Sequence, residues 1–280
     1  MCRFSKASNY RRALLARFQR WAVYHKGVEE KGKLAKLYVK WIGGSTYTAH
    51  NFLIHLNKVL PSKHYQSILD AGCGKGDFTF YLADNYPDSH IEGWDKSDPE
   101  LHELGNNITV CRRIKAIGSY QNVDFFEKDL HDLNAENAFD LILSIHVLEH
   151  IPNNELILEK FYRALRPGGI LHIQLPGKND HTFFLLEHFT DFYEWEEKEH
   201  IGRVYTMSGL VLLLEQLGFR VLQKRTDGHV LSGFLFDLTE TCKQRCMPLY
   251  AILLPAARFI NRVLSVFDNK KGNLVLVAQK

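Results

Sequence analysis

Short apolar runs alternate with amphipathic helical patterns through the middle of the chain. Five segments are predicted to be strands: the short apolar run Ile68–Leu69, then His90–Trp94, Val123–Glu127, Phe139–Ser144 and Ile170–Leu175. Helical patterns fill most of the spaces between them: Phe78–Ala83, Asn106–Ile117 and Leu156–Leu165. Arg166-Pro-Gly-Gly169 predicts a turn before the last of the five strands. This alternation predicts right-handed crossovers and one largely parallel sheet, in which ligands bind at the carboxyl ends of the strands.

The pattern loosens after the fifth strand. A helix at Ser208–Leu217 and a strand at Phe219–Gln223 precede a long segment, residues 228–270, and a last strand at Asn273–Ala278. We interpret the long segment as a helical insertion that packs on the domain or lies at an interface. Proline and arginines interrupt its apolar runs well short of the roughly 20 residues that span a bilayer, so we expect no transmembrane segment.

Three helical patterns come before the first strand. Two have apolar residues at helical spacing: Tyr10, Leu14, Phe18 and Trp21, then Leu34, Leu37, Tyr38 and Trp41. The third runs toward Leu60 and stops at Pro61. The chain therefore divides into an N-terminal helical cap (1–60), an α/β domain (61–227), a helical insertion or lid (228–270) and a last strand of the sheet (271–280).

Basic residues are concentrated in the first forty positions. Eleven Lys and Arg stand there against Glu29 and Glu30, so this arm carries about +9, although the net charge of the whole chain is only +3. Its arginines largely avoid the apolar stripe. This favours a helix that packs on the domain with a solvated basic face; peripheral contact with a membrane, or with nucleic acid, is the alternative. Because arginines recur through it, the arm does not resemble a signal peptide.

Composition sets the class and the compartment. With 280 residues, 45% of them hydrophobic and 24% charged, the chain fits one large α/β domain with additions, or two small domains. The five cysteines are scattered and form no C-x-x-C pair, which argues against a disulfide scaffold or a zinc ribbon and is typical of a reducing compartment. We therefore expect a cytoplasmic protein.

A glycine-rich turn follows the first strand, in the sequence Asp70-Ala-Gly72-Cys-Gly74-Lys-Gly76. Glycines at alternate positions let the backbone approach a ligand closely, and the helix that follows presents free N–H groups. A dinucleotide site usually has G-x-G-x-x-G, but here Asp77 stands where the third glycine belongs. The carboxylate that closes the strand would repel a pyrophosphate and suit an ammonium or sulfonium group. The alternative is a turn that only packs.

Two further acids end the next two strands. Asp95 ends the second strand at the distance where βαβ units place an acid against ribose hydroxyls, and Asp129-Leu130 follows the third strand. Taken in order with the glycine turn, with Phe139-Asp-Leu-Ile-Leu-Ser-Ile-His-Val-Leu-Glu-His and with Leu165-Arg-Pro-Gly-Gly, they resemble class I S-adenosylmethionine-dependent methyltransferases. Within that family the resemblance is to the methyltransferase type 11 and ubiquinone-biosynthesis O-methyltransferase groups, over roughly residues 50 to 176.

The resemblance implies a fold and a cofactor. The fold is a Rossmann-like α/β sheet, mostly parallel with an antiparallel last strand, extended here by the N-terminal helical cap and the helical insertion. The cofactor is S-adenosylmethionine, with Asp129 meeting the adenine amino group. Its contacts would fall on Asp70, Ala71, Gly72, Gly74, Asp95, Lys96, Asp129, Leu130 and Ser144.

His146, Glu149 and His150 reproduce the H-x-x-E-H spelling of a class of zinc proteases. That interpretation fails because the motif leaves a buried strand, with Pro152 close behind, instead of lying inside a helix. Some ubiquinone-type O-methyltransferases carry Glu where His146 stands, and that Glu joins the Glu-His pair to bind a divalent cation. This chain departs from that pattern. We therefore predict an ion pair or cap at the strand–helix junction and no metal.

His146 lies at the carboxyl edge of the fourth strand, where the resemblance puts the reacting methyl group. It is our candidate for positioning or deprotonating the acceptor, and His181, His200 and Tyr205 could line the pocket. The predicted function is O-methylation of a small-molecule, lipid or glycan-precursor acceptor, amphiphilic if the cap and insertion form its lid. The alternatives are a tRNA or other nucleic-acid methyltransferase that uses the basic arm, and a catalytically silent cofactor-binding scaffold. The Asn/Asp-Pro-Pro-Tyr signature of amino methyltransferases is missing.

Overall fold

A computed structural model describes residues 52, 56, 59–61, 63–96, 107–177, 184–228, 230–264 and 271–280. The basic arm and most of the predicted cap therefore lie outside the described residues. Phe52, Leu56 and Val59 are described from the end of the cap; their backbone is helical and all three are buried.

Seven strands form one sheet. They are β1 (Ser67–Ala71), β2 (His90–Asp95), β3 (Val123–Glu127), β4 (Phe139–Ile145), β5 (Leu165–Leu175), β6 (Arg220–Gly228) and β7 (Lys271–Gln279). Their order in the sheet is β3-β2-β1-β4-β5-β7-β6. Strands β1 to β5 pair in parallel, whereas β7 runs antiparallel to both of its neighbours. This confirms the predicted mostly parallel sheet with an antiparallel last strand.

Eight helices connect or flank the strands in the described part of the chain. They are α1 (Asp77–Asn85), α2 (Asn107–Gly118), α3 (Asn154–Ala164), α4 (Phe184–Phe189), α5 (Phe192–Glu199), α6 (Met207–Gln216), α7 (Val230–Arg245) and α8 (Met247–Leu264). The strand order reverses between β1 and β4, and in open α/β sheets ligands bind at the carboxyl ends of the strands at such a switch point.

The core lies on both faces of the sheet. One face buries Ile68, Leu141 and Leu143 with residues of α1 and α2, and the other buries Leu69 and Ile142 with residues of α3 and α6. Because both faces are covered, the central strands are apolar at almost every position instead of alternating. The polar residues that are nevertheless buried in these strands therefore stand out: Asp70, Ser144, His172 and Gln174.

The Arg166–Gly169 segment was expected to be a turn, and that prediction was wrong. It forms the irregular beginning of β5, where the register with β4 shifts and Gly168 has a φ of 77°. The backbone of Lys280 holds it in place, since Gly168 N donates to Lys280 O (2.9 Å) and Lys280 N donates to Gly169 O (3.0 Å). Glycine permits the positive φ, and the C-terminal residue supplies the pairing that local sequence could not reveal.

Helices α7 and α8 occupy most of the predicted insertion and bury a small apolar cluster of their own. The Asp237 carboxylate of α7 accepts the N–H groups of Leu185 (2.9 Å) and Leu186 (2.8 Å) at the start of α4, so the insertion is bonded to the segment that follows β5. Within the described residues, no helix combines the length and apolarity that a membrane span requires. The domain boundaries drawn from the sequence stay predictions.

Candidate active site

The glycine turn leaves β1 in a conformation that side chains rarely adopt. Gly72, Gly74 and Gly76 all have positive φ angles, of 78°, 51° and 77°. The turn is tied to the end of β2, because the N–H groups of Gly72 and Cys73 both donate to Trp94 O at 2.8 Å. The local sequence therefore builds a rigid loop at the switch point of the sheet.

The three glycines serve different purposes. A Cβ at Gly72 would lie 2.3 Å from Cγ2 of Val147, and one at Gly76 would lie 2.9 Å from the Phe80 ring. Packing therefore requires glycine at both positions. A Cβ at Gly74 would meet no atom of the described residues within 4 Å. Packing alone thus explains two glycines, whereas Gly74 borders open space where a ligand can approach the backbone.

Asp70 is buried beneath this turn. The Thr79 hydroxyl of α1 donates to its Oδ2 atom at 2.5 Å. Burial raises the pKa of Asp70 to about 7, in spite of that hydrogen bond, and the nearby Asp95 carboxylate raises it further. Sequence reasoning missed Thr79, although a hydroxyl on the first turn of the helix was a possible signal. A buried carboxylate of this kind is stabilised by a cation placed above it.

Two acids at the neighbouring strand ends are held by hydrogen bonds. Gly74 N donates to Oδ2 of Asp95 at 2.5 Å. Lys96 Nζ lies 2.9 Å from Oδ2 of Asp129, and the backbone N–H and ring Nδ1 of His131 contact its Oδ1 at 2.9 and 2.7 Å. Partial burial would raise the pKa of Asp129, but these contacts outweigh it and hold the pKa well below its usual range.

Besides Asp70, three predicted cofactor residues are buried: Ala71, Leu130 and Ser144. Ala71 and Leu130 belong to the apolar cluster on the α3 face of the sheet, together with Trp94. The Ser144 Oγ atom has no hydrogen-bond partner among the described residues. Contacts from Ala71 and Leu130 to a ligand would therefore come from their backbones.

His146 follows β4 directly and has a left-handed backbone, with a φ of 53°. Its N–H donates to Gln174 O at 2.8 Å. Its ring Nδ1 lies 2.9 Å from Oε1 of Glu149, and the Phe52 ring stacks on it with a centroid distance of 4.5 Å and an interplanar angle of 16°. The next residue, Val147, packs on Gly72, so the backbone of His146 is one residue away from a contact with the predicted cofactor loop.

A group of potential metal ligands includes Glu149, the residue whose carboxylate is paired with His146. One ligand atom from each of Glu149, His150 and His200 falls within 4.8 Å of the other two. Nδ1 of His150 also contacts Glu199 O at 3.0 Å, and burial lowers the pKa of His200 although the Glu149 carboxylate opposes this. These three residues have the chemistry to hold a cation; that the site works without one stays a prediction.

The segment after α5 is docked on the turn that carries Glu149. Gly202 N donates to Glu149 O at 2.8 Å, and the Tyr205 hydroxyl donates to Oδ1 of the buried Asn154 at 2.5 Å. Tyr205 is itself buried, so it serves this docking and does not line an open pocket. His181, which was expected near the acceptor, lies outside the described residues.

Comparisons with known proteins agree with this architecture. Residues 38–224 match the family described as a methyltransferase domain. Trans-aconitate 2-methyltransferase of Deinococcus radiodurans is 30% identical over 127 residues, which cover 45% of this chain and 44% of that protein. Phosphoethanolamine N-methyltransferase 1 of Triticum aestivum is 35% identical over 111 residues, or 39% and 20% of the two chains. The chain spans about half the length, or less, of these curated relatives.

Solved structures share the fold at low sequence identity. An S-adenosylmethionine-dependent methyltransferase from Mesorhizobium loti superposes with a TM-score of 0.54 and 17% identity, over 84% of this chain and all of the other. Phosphoethanolamine N-methyltransferase 2 of Haemonchus contortus, solved with S-adenosyl-L-methionine, gives a TM-score of 0.56 and 18% identity over 93% and 59% of the two chains. At such identities the likeness concerns the fold.

Proposed function

The chain belongs to the methyltransferase-domain family, and we propose that it transfers the methyl group of S-adenosylmethionine to an oxygen atom of a small molecule. One observation carries the proposal. Val147, the residue directly after His146, packs on Gly72. A potential proton acceptor and the glycine turn therefore lie at the same edge of the sheet.

The residues at this edge fit the cofactor. Gly74 borders open space at the turn, and burial raises the pKa of the Asp70 carboxyl beneath it. The positive charge of a sulfonium group would favour the ionised carboxylate, and the same group carries the activated methyl group. We propose that Asp95 accepts hydrogen bonds from the ribose hydroxyls and that Asp129 and the Leu130 backbone contact the adenine. The other predicted residues, Ala71, Gly72, Lys96 and Ser144, would line the rest of the cofactor site.

His146 is the proposed catalytic residue. Its Nδ1 atom lies 2.9 Å from Oε1 of Glu149, and we propose Nε2 as the nitrogen that takes the proton of an acceptor hydroxyl. Because methyl transfer is an in-line displacement at an activated carbon, alignment of the acceptor and exclusion of water contribute much of the remaining acceleration. In the structure His146 Nε2 is shielded from solvent, which suits that second requirement.

We propose a small acceptor with an apolar part. The curated relatives are named for trans-aconitate and phosphoethanolamine, both small molecules. In this chain helix α8 exposes Ile252 and Phe259, which are 69% and 70% accessible, and α7 is bonded to the segment after β5 through Asp237. The basic N-terminal arm, for which peripheral membrane contact is the alternative, falls outside the described residues.

Transfer of a labelled methyl group tests the proposal. The full chain is incubated with methyl-labelled S-adenosylmethionine and matched acceptors that offer either a hydroxyl or an amine on the same apolar carrier. We expect label on the hydroxyl series, and we expect His146→Asn to remove most of it while cofactor binding persists. Asn is the chosen replacement because it tolerates the left-handed backbone of position 146. Label on amines alone would contradict O-methylation.

A further inference from the structure

We propose that helix α8 is a membrane-docking helix whose outer face lies on an anionic lipid bilayer without crossing it. Exposed apolar side chains are concentrated in this part of the molecule. Of the fourteen large apolar side chains that are exposed among the described residues, nine belong to α4, α7 and α8. Docking through them is independent of the proposed methyl transfer, because it needs neither the cofactor site nor His146.

Helix α8 is apolar on two opposite sides. Its inner side packs on α7, and Tyr250, Leu254 and Ala257 belong to the buried cluster that the two helices share. Its outer side exposes a second series at the positions of one helical face: Leu249, Ile252, Ala256, Phe259, Ile260 and Val263. A helix at the surface of a domain normally turns polar residues outward, so this apolar stripe indicates a contact that the domain itself does not supply.

The dimensions of the stripe suit the surface of a bilayer. Helix α8 has 18 residues, or about 27 Å at the usual helical rise, and the stripe runs along most of it, from Leu249 to Val263. Since none of the described helices is long and apolar enough to cross a membrane, passage through the bilayer is not the use of this face. A helix that lies in the plane of the interface instead buries one apolar face at the boundary between headgroups and acyl chains.

The charges of α8 favour an anionic surface as the partner. Its only charged residues are Arg258 and Arg262, one helical turn apart, and the segment 247–271 has four Lys and Arg against one Asp. Anionic headgroups attract such residues, and a long arginine side chain can reach them while its stem packs on apolar surface. An apolar stripe with basic residues and almost no acids is typical of helices that bind anionic membranes.

Helix α8 is joined to the segment after β5 through α7. The buried Asp237 carboxylate of α7 accepts the N–H group of Leu185 at the start of α4, at 2.9 Å. Two exposed aromatic residues stand close to this contact in sequence: Phe184 directly before Leu185, and Phe234 one helical turn before Asp237. They belong to the same group of helices as the stripe and enlarge the apolar surface that a bilayer would bury.

Co-sedimentation with lipid vesicles tests the proposal. The full chain, without cofactor or acceptor, is mixed with vesicles of phosphatidylcholine alone and with vesicles of phosphatidylcholine and phosphatidylglycerol in equal parts. We expect binding to the anionic vesicles to be about tenfold tighter than binding to the neutral ones, and to weaken as salt is added.

Matched substitutions assign the binding to α8. Ile252→Gln combined with Phe259→Gln removes the two most exposed side chains of the stripe and keeps good helix formers, so we expect vesicle binding to weaken about tenfold. The control pair is Leu156→Gln with Leu212→Gln, on α3 and α6, whose side chains are also half exposed or more. It should leave vesicle binding unchanged. Neither pair should change the melting temperature, because all four side chains are exposed.

Several results would overturn the proposal. Vesicle binding that the α8 pair leaves unchanged would assign it to another surface, such as the basic N-terminal arm. A melting temperature lowered by the α8 pair alone would show that another segment of the chain covers the stripe, and a dimer that this pair dissociates would show that a second copy does. A wild type that does not bind anionic vesicles would contradict the docking outright. None of these results bears on methyl transfer, which is measured separately.

Discussion

Val147 packs directly against Gly72, so closely that a Cβ at position 72 would lie 2.3 Å from the valine Cγ2 atom. This contact joins the turn after β1 to the residue after His146. The candidate cofactor loop and the candidate base therefore share one packing unit at the switch point of the sheet.

Alanine at two glycines should separate packing from cofactor binding. Gly72→Ala combines a positive φ with a clash, so we expect it to lower the free energy of unfolding by about 2–4 kcal/mol. Gly74→Ala carries only the backbone strain, about 1 kcal/mol, because the space around it is open. Its methyl group would instead weaken cofactor binding about tenfold, or ~1.4 kcal/mol. Urea unfolding and calorimetric titration measure the two effects; identical profiles for both variants would contradict the assignment.

Asp70 should make the free protein less stable as the pH rises. Its folded pKa, about 7, lies above the value of 3.8 usual for aspartate, so between about pH 4 and pH 7 the folded state holds a proton that the unfolded state has lost. Stability from this group is present below pH 4 and is lost as the pH approaches 7. Asp70→Asn, which can still accept the Thr79 hydrogen bond, should remove this component. Urea unfolding of both proteins across the range checks it; parallel curves would refute the buried-acid interpretation.

Chelation should leave the enzyme intact. Glu149 is paired with His146, and one ring nitrogen of His150 contacts Glu199 O, so the group formed with His200 has protein partners without an ion. We expect methyl transfer and melting temperature to be unchanged after treatment with a chelator. Loss of turnover that magnesium or zinc restores would show instead that these three residues bind a metal.

Asp237 should matter for the acceptor and little for the cofactor. It caps the start of α4 from the insertion, and Asp237→Ala should cost about 1 kcal/mol as the loss of a capping carboxylate. The matched control is Asp191→Ala, since Asp191 precedes α5 but makes no side-chain capping bond in the described structure. If α7 and α8 form the lid, acceptor KM rises in Asp237→Ala at constant cofactor affinity. An unchanged KM would contradict the lid.

Sequence patterns reveal the sheet because its cause is local. Strands buried on both faces must be apolar almost throughout, so the central strands β1 and β4 could be recognised from short windows, and glycine marked the turn that needs positive φ. The conformation of the Arg166–Gly169 segment could not be predicted from short windows, because it depends on pairing with Lys280, more than a hundred residues away.

The site residues also divide into those placed by local sequence and those placed by tertiary packing. Asp70, Asp95 and Asp129 could be named from their places at strand ends. Thr79, the partner of Asp70, was missed although its place on the next helix was a possible signal, and Phe52 could not be named because tertiary packing brings it to His146. The cap and the insertion carry no comparable code, so their sequence does not identify the acceptor.

Cofactor binding to the purified full chain tests the central claim most directly. Melting temperature and calorimetric titration are compared for S-adenosylmethionine, S-adenosylhomocysteine and NAD, with Asp95→Ala as the variant. We predict that both sulfur compounds stabilise the protein and NAD does not, and that Asp95→Ala weakens their binding by about 1–3 kcal/mol because the ribose hydroxyls lose their acceptor. Stabilisation by NAD without any by S-adenosylmethionine would contradict the assignment.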